Sequence, residues 1–167
     1  GKKAETTTST INFNSGTSTY VFGGGSEAGV TTTNVKLGTG TITSTFGGSN
    51  TSGTVATSNI SNITDNPNLS GSLAVTNIFG GNNQGGTTGT TNIILSSGSI
   101  TNVYGGGEQA ETNLTNVNIT GATINQVVYG GGDNADVTTN TNVSITSNSI
   151  ILGNIYGGGN AGEVDGT

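Results

Sequence analysis

An aromatic residue followed by two or three glycines recurs six times in this chain of 167 residues. No other feature constrains the fold as strongly. Successive aromatic residues lie 24, 33, 25, 25 and 27 positions apart. A period of this size is typical of stacked repeat units, each of which buries little surface unless a neighbour covers it. The aromatic positions are Phe22, Phe46, Phe79, Tyr104, Tyr129 and Tyr156.

A second pattern lies between these marks, in which Thr-Asn or Ser-Asn precedes alternating apolar residues. Its asparagine column contains Asn34, Asn59, Asn92, Asn116 and Asn142. A Gly or Ser turn follows, and then another apolar position at Ile42, Ile100, Ile124 and Ile150. Each repeat therefore predicts two short strands with period-two alternation. The spacing from these isoleucines to the aromatic residue varies, which predicts a kink or bulge in the second strand.

These patterns predict an all-β fold, a single-stranded parallel β-solenoid (β-helix) of about six coils with roughly 25 residues each. We expect right-handed winding and a rod segment about 30 Å long. Glycine and asparagine are expected at corners that need positive φ. The chain is predicted to be one domain, 1–167, with partial coils at 1–21 and 156–167 and complete coils at 22–45, 46–78, 79–103, 104–128 and 129–155.

The second coil is longer than the others, because an insertion at 61–70 contains Asp65, Asn66 and the only proline of the chain, Pro67. We interpret it as a loop that protrudes from the solenoid. Two alternatives stay open for this loop, a tolerated insertion and a dedicated binding loop.

Composition excludes several functions. Histidine and cysteine are absent, so there is no Ser-His-Asp triad and no zinc finger. Three lysines against nine acidic residues give a net charge of −6 and no basic surface for phosphates, so no nucleic-acid binding is predicted. The short apolar runs predict no membrane insertion. The glycine triplets lack the Gly-Lys-Ser/Thr of a phosphate loop.

Seven of the nine acidic residues follow the glycines, and five of these lie at two repeated offsets. Glu108 and Asp133 share one offset from the aromatic residue, and Glu111, Asp136 and Glu163 share the other. Stacked carboxylates repel one another, and Ca²⁺ relieves this by taking several oxygen ligands. A calcium site on this edge and a solvated acidic edge that limits lateral association are the two alternatives, and no other cofactor is predicted.

Two ladders are predicted from the repeats. The five asparagines are expected to form a ladder of amide hydrogen bonds. The six aromatic rings form either a stacked core or corner ladder, or an outward strip suited to sugars, in which Tyr104, Tyr129 and Tyr156 would bind. Ice binding is a remote alternative, since the outward pairs of the first strand, such as Asn34 and Lys36, make no threonine plane and Thr43 with Thr45 is not repeated.

The strings Thr115-Asn116-Val117-Asn118-Ile119 and Val128-Tyr129-Gly-Gly-Gly, with their counterparts at 91–107 and 141–159, resemble repeats of large secreted or cell-surface, adhesin-like proteins of bacteria. The resemblance covers most of the chain, and it is poor at 1–20 and in the second coil. It implies a β-solenoid stalk or surface fibre outside the cell, and it supplies no catalytic residue.

The sequence therefore predicts a non-enzymatic, extracellular structural or adhesive solenoid, either a segment of a bacterial surface protein or a self-assembling filament subunit. Both ends of the chain fall inside the repeat pattern. We therefore expect contact with neighbouring repeats of a longer array or end-to-end stacking of subunits, because unpaired strand edges recruit further strands. A glycan-binding module is the alternative function.

Overall fold

A computed structural model describes residues 6–146 and 148–166 and shows the predicted parallel β-solenoid of about six turns. The strands are β1 (Thr6–Phe13), β2 (Thr17–Phe22), β3 (Val30–Leu37), β4 (Gly40–Phe46), β5 (Thr54–Asn62), β6 (Leu73–Phe79), β7 (Thr87–Leu95), β8 (Ser99–Tyr104), β9 (Thr112–Ile119), β10 (Thr123–Tyr129), β11 (Thr141–Ile145), β12 (Ile150–Ile151) and β13 (Asn154–Tyr156). Lys2 and Lys3 lie outside the described residues.

The strands form two parallel sheets. Sheet A has the order β1-β3-β5-β7-β9-β11, and sheet B has β2-β4-β6-β8-β10, with β12 and β13 both paired to β10. Each of the first five coils contributes one strand to each sheet, and the last contributes β11 to sheet A and both β12 and β13 to sheet B. Equivalent residues of successive coils therefore lie over one another. A third side carries the glycine triplets and the isolated bridges from Val137 to Thr112 and to Val164.

The core lies between the two sheets and is a set of apolar columns. Sheet A supplies Val35 and Leu37 with their register partners, because alternate residues of a strand point to one face. Sheet B supplies two columns, which begin at Ile42 and at Val21. Branched side chains pack well on the pleated surface of a strand. The alternation of apolar residues in the sequence therefore identifies the buried face of sheet A.

The second sheet departs from simple alternation. Its two core positions in β4, Ile42 and Thr45, are three residues apart, and both are fully buried. The predicted irregularity is a bulge in β10, where one extra residue lies between Ile124 and Val127. Ile124 pairs with Ile151, so the sequence equivalence with Ile150 is wrong by one position; the chain between β12 and β13 carries the same extra residue.

Glycines in the triplets have a different role from the one expected. In the described residues positive φ occurs only at glycines outside the triplets, and no asparagine adopts it. Within the triplets, a Cβ at Gly105 would clash with the carbonyl oxygen of Gly130 in the next coil, and Gly80 has the same relation to Gly105. The triplets are therefore required by close approach of successive coils.

Candidate functional site

The six aromatic rings form one continuous stack along the corner after sheet B. Adjacent ring centroids are 4.7 to 5.4 Å apart, and the ring planes differ by 6 to 13°. Each ring follows directly on a core position such as Val103 or Val128 and is on the opposite face of its strand. Tyr20 lies beside Phe22 as a seventh ring, with centroids 6.0 Å apart.

Stacking decides what this aromatic ladder offers to a ligand. Phe46 is only 1% exposed although it lies outside the main core cluster, and a ring lies against each of its faces. Tyr104 and Tyr129 likewise have a ring against each face. The rings at the two ends of the stack, Tyr20 and Tyr156, each have a single ring partner in the described residues. Sugar stacking needs a free ring face, and the interior rings offer none.

The asparagine column forms amide hydrogen bonds along sheet A. The Nδ2 atoms of Asn59, Asn92 and Asn116 each donate to the Oδ1 of the preceding asparagine, at 3.0 to 3.1 Å. Asn142 continues the column in register with Asn116. A second, shorter ladder on sheet B joins Asn102 to Asn77 at 2.9 Å.

A hydrogen bond from a threonine or serine hydroxyl to a triplet carbonyl crosses each of five coils, and the sequence pattern did not predict it. Thr91 Oγ1 donates to the Gly105 carbonyl at 2.6 Å, and Thr115 Oγ1 donates to that of Gly130 at the same distance. Thr33, Ser58 and Thr141 make the equivalent bond. The signal for it was the hydroxyl residue that always precedes the asparagine of the repeat.

Asn82 is a second residue that sequence analysis missed. It occupies the third glycine position of its triplet and is completely buried. Its Nδ2 donates to the carbonyls of Gly53 and Gly85, and its Oδ1 accepts from Ser49 N and Thr88 Oγ1. The departure from glycine at this position was the available signal.

The first acidic offset brings Glu108 and Asp133 together on neighbouring coils. Burial, followed by the negative charge of Asp133, raises the pKa of Glu108 above its usual value. Two amides hold the Asp133 carboxylate, Asn134 Nδ2 at 3.0 Å and Asn160 Nδ2 at 2.7 Å. Burial, and then the charges of Asp133, Tyr129 and Glu108, also raises the pKa of the nearby Tyr104 to about 12.

The second offset forms an exposed column. Glu111, Asp136 and Glu163 precede the bridged residues Thr112, Val137 and Val164, and Asp136 Oδ1 accepts a hydrogen bond from Glu163 N at 2.8 Å. In the part of the chain that the structure describes, no group of three or more acidic side chains converges as a metal site. Among the described residues, the acidic edge therefore provides at most two neighbouring carboxylates as ligands for a calcium ion.

The inserted loop occupies 63–72, two residues later at each end than the sequence indicated, because β5 extends to Asn62. Asn66 Oδ1 accepts from Asn68 N at 3.1 Å, which folds the exposed tip around Asp65 and Pro67. Beneath the loop is an open groove, lined by Leu69, Leu73, Ser97 and Thr123 among others.

Sheet B carries a column of threonines in successive coils, which the sequence pattern did not predict. Thr43 lies in register with Thr19, Thr76 and Thr101, and the first three of these coils expose the side chain. Thr45, in contrast, is a core residue. The column is continuous over four coils and ends at the bulge of β10.

Fold and ladders together define the chain as a parallel β-solenoid repeat protein. A search of protein-family models finds no match to it, and comparisons with curated proteins and with solved structures find none either. In the described residues, no helix is long and apolar enough to span a membrane.

Proposed function

We propose that this chain is a non-enzymatic structural segment of an extracellular solenoid rod, which serves as a stalk or adhesive spacer in a bacterial surface protein or filament. The observation that carries the proposal is the use of side chains at equivalent positions for contacts between coils. Ring faces and amides are the groups that proteins use to recognise ligands, and here they bind one another.

The stabilising contacts between coils add up along such a rod. Every coil repeats a ring contact, a core contact and, in four of the interior coils, an amide bond, so stability grows with the number of coils. The acidic edge, with Glu108 and Asp133 at its centre, adds like charges along one side. Like charges on neighbouring rods repel, which favours axial over lateral association.

The extracellular location rests on the resemblance to surface-protein repeats, and it is tested on intact cells. We expect a protease added to intact cells to release peptides of this chain, and antibodies to the purified chain to label the cell exterior. A cytosolic protein serves as the control for lysis. Release of the peptides only after cell lysis would contradict the location.

Ice binding is a second candidate, and the exposed threonine column of sheet B is the observation that favours it. Equally spaced hydroxyls about 4.8 Å apart present a regular array to water. An ice-recrystallisation assay tests it with Thr76→Tyr, which interrupts the column, and with Ser61→Tyr on sheet A as matched control. Activity that is lost only in the first variant supports ice binding, and inactivity of the native chain excludes it.

Glycan binding is the other alternative. Ring faces in the interior of the stack are covered, which leaves the end rings Tyr20 and Tyr156 and the loop 63–72 with its groove. Asp65 and Asn66 supply polar groups at the exposed tip. A glycan array of the native chain beside Asp65→Ala and Asn66→Ala tests this. Native binding that both variants retain would place the glycan elsewhere.

A further inference from the structure

We infer that the C-terminal end of the solenoid is a docking face for the N-terminal end of a second copy of this chain, head to tail and in the register of the interior coils. The end face consists of Ile155, Tyr156, Gly157 and Gly158. The inference rests on the proposed structural role and names the partner and the atoms of contact.

Side chains on the end face are more exposed than their equivalents in the interior coils. Ile155 is 48% exposed, while Val128 and Val103, which precede it in the same column, are 0% exposed. Tyr156 is 46% exposed, and a ring covers one of its faces. A further coil would bury this surface in the way that each interior coil buries the one before it.

Backbone donors on the end face lack the partners that their equivalents have. Gly130 N donates to the Tyr156 carbonyl at 2.8 Å, and Gly131 N donates to the Gly158 carbonyl at 3.0 Å. One coil further on, neither Gly157 N nor Gly158 N has an acceptor in the described part of the structure. These two N–H groups point toward the position of the next coil.

Matching acceptors lie at the other end of the solenoid. The carbonyls of Phe46 and Gly48 accept from the preceding coil, from Gly23 N and Gly24 N, both at 2.9 Å. The equivalent carbonyls of the first coil are those of Phe22 and Gly24, and no coil precedes them in 6–146 and 148–166. A head-to-tail copy therefore supplies two acceptors in the register that Gly157 N and Gly158 N require.

The glycines also fit this contact sterically. A Cβ at Gly130 would clash with the Gly157 carbonyl of the next coil, whereas a Cβ at Gly157 or Gly158 meets nothing within 4 Å. Neither of the two has a positive φ, so alanine fits their backbone. Alanine there leaves the single chain intact and obstructs a second copy, which would place its Gly23 carbonyl against Gly157.

A heterologous contact of this kind does not close and generates filaments. We expect the native chain to associate with rising concentration in sedimentation velocity, and electron micrographs to show rods in multiples of about 30 Å. The double variant Gly157→Ala/Gly158→Ala should weaken association about 100-fold or more, because each methyl group overpacks the contact. Its melting midpoint, measured at a dilution where both proteins are monomeric, should equal the native one.

Gln126→Ala, on the side of sheet B, is the matched control and should associate as the native chain does. A native chain that stays monomeric at every concentration, or a double variant that associates equally well, would overturn the docking inference. A monomeric chain that protease nevertheless releases from intact cells would leave the structural role standing, so the two proposals fail separately.

Discussion

Replacing threonine with valine at two fully buried positions should change stability in opposite directions. Thr45 and Thr91 are both 0% exposed, and the substitution exchanges a hydroxyl for a methyl group of nearly the same shape. They differ in hydrogen bonding. Thr91 Oγ1 donates to the Gly105 carbonyl at 2.6 Å, whereas Thr45 Oγ1 has no partner.

The magnitudes follow from that difference. A buried hydroxyl without a partner costs about 1–3 kcal/mol in desolvation, so Thr45→Val should raise the free energy of unfolding by about 1–2 kcal/mol. Its register neighbours, Val21 and Ile78, are apolar and accept the added methyl group. Thr91→Val removes a hydrogen bond and leaves a buried carbonyl unpaired, so it should lower that free energy by about 1–3 kcal/mol.

Urea denaturation followed by circular dichroism measures both variants. The two free energies of unfolding should lie about 2–5 kcal/mol apart, with Thr45→Val above the native chain and Thr91→Val below it. The slopes against urea should be unchanged, because neither variant alters the surface exposed on unfolding. Shifts of the same sign, or a destabilised Thr45→Val, would refute the hydrogen bond assigned to Thr91 and the unpaired hydroxyl assigned to Thr45.

Three further predictions concern charged and buried polar groups. Glu108 has a raised pKa in the folded chain, so folding stability should be greater below that pKa and fall as the pH rises through it; Glu108→Gln should remove this fall and stabilise the chain at neutral pH in urea titrations. Tyr104 keeps its proton to about pH 12, whereas an unfolded tyrosine loses it near 10.0, so stability should fall between these values. Melting midpoints at alkaline pH should show that fall in the native chain and a smaller one in Tyr104→Phe. Asn82→Ala removes four hydrogen bonds, two of them from the buried groups Ser49 N and Thr88 Oγ1, and should destabilise the chain by about 3 kcal/mol, while the exposed Asn68→Ala should stay within about 0.5 kcal/mol.

The ladders show how far the sequence reaches when the fold is periodic. The recurrence of Asn59 and Asn92 in one pattern predicted a column, and the structure joins their amides. Glu108 and Asp133 were paired from their shared offset, and the charge of Asp133 contributes to the raised pKa of Glu108. These relations were accessible because stacking in register turns a sequence period into a distance in space.

The sequence did not decide the direction of the rings. Alternation determines a face only along an uninterrupted strand, and Ile42 and Thr45 show that sheet B bends between its two core positions. Because of the same bend, the threonine column around Thr43 could not be predicted from the sequence. The pairing of Ile124 with Ile151 was also missed, because one extra residue shifts every later equivalence.

By itself the sequence determined the strand type, the number of coils and which side chains recur along the axis, since these depend only on period and apolar alternation. The tertiary structure decided why the triplets are glycine, where the Thr91 hydroxyl donates and how Asn82 replaces a glycine. Those answers depend on how closely one coil approaches the next and on which polar atoms the bend brings into reach. A repeat pattern in the sequence specifies neither how closely the coils approach nor which polar atoms meet.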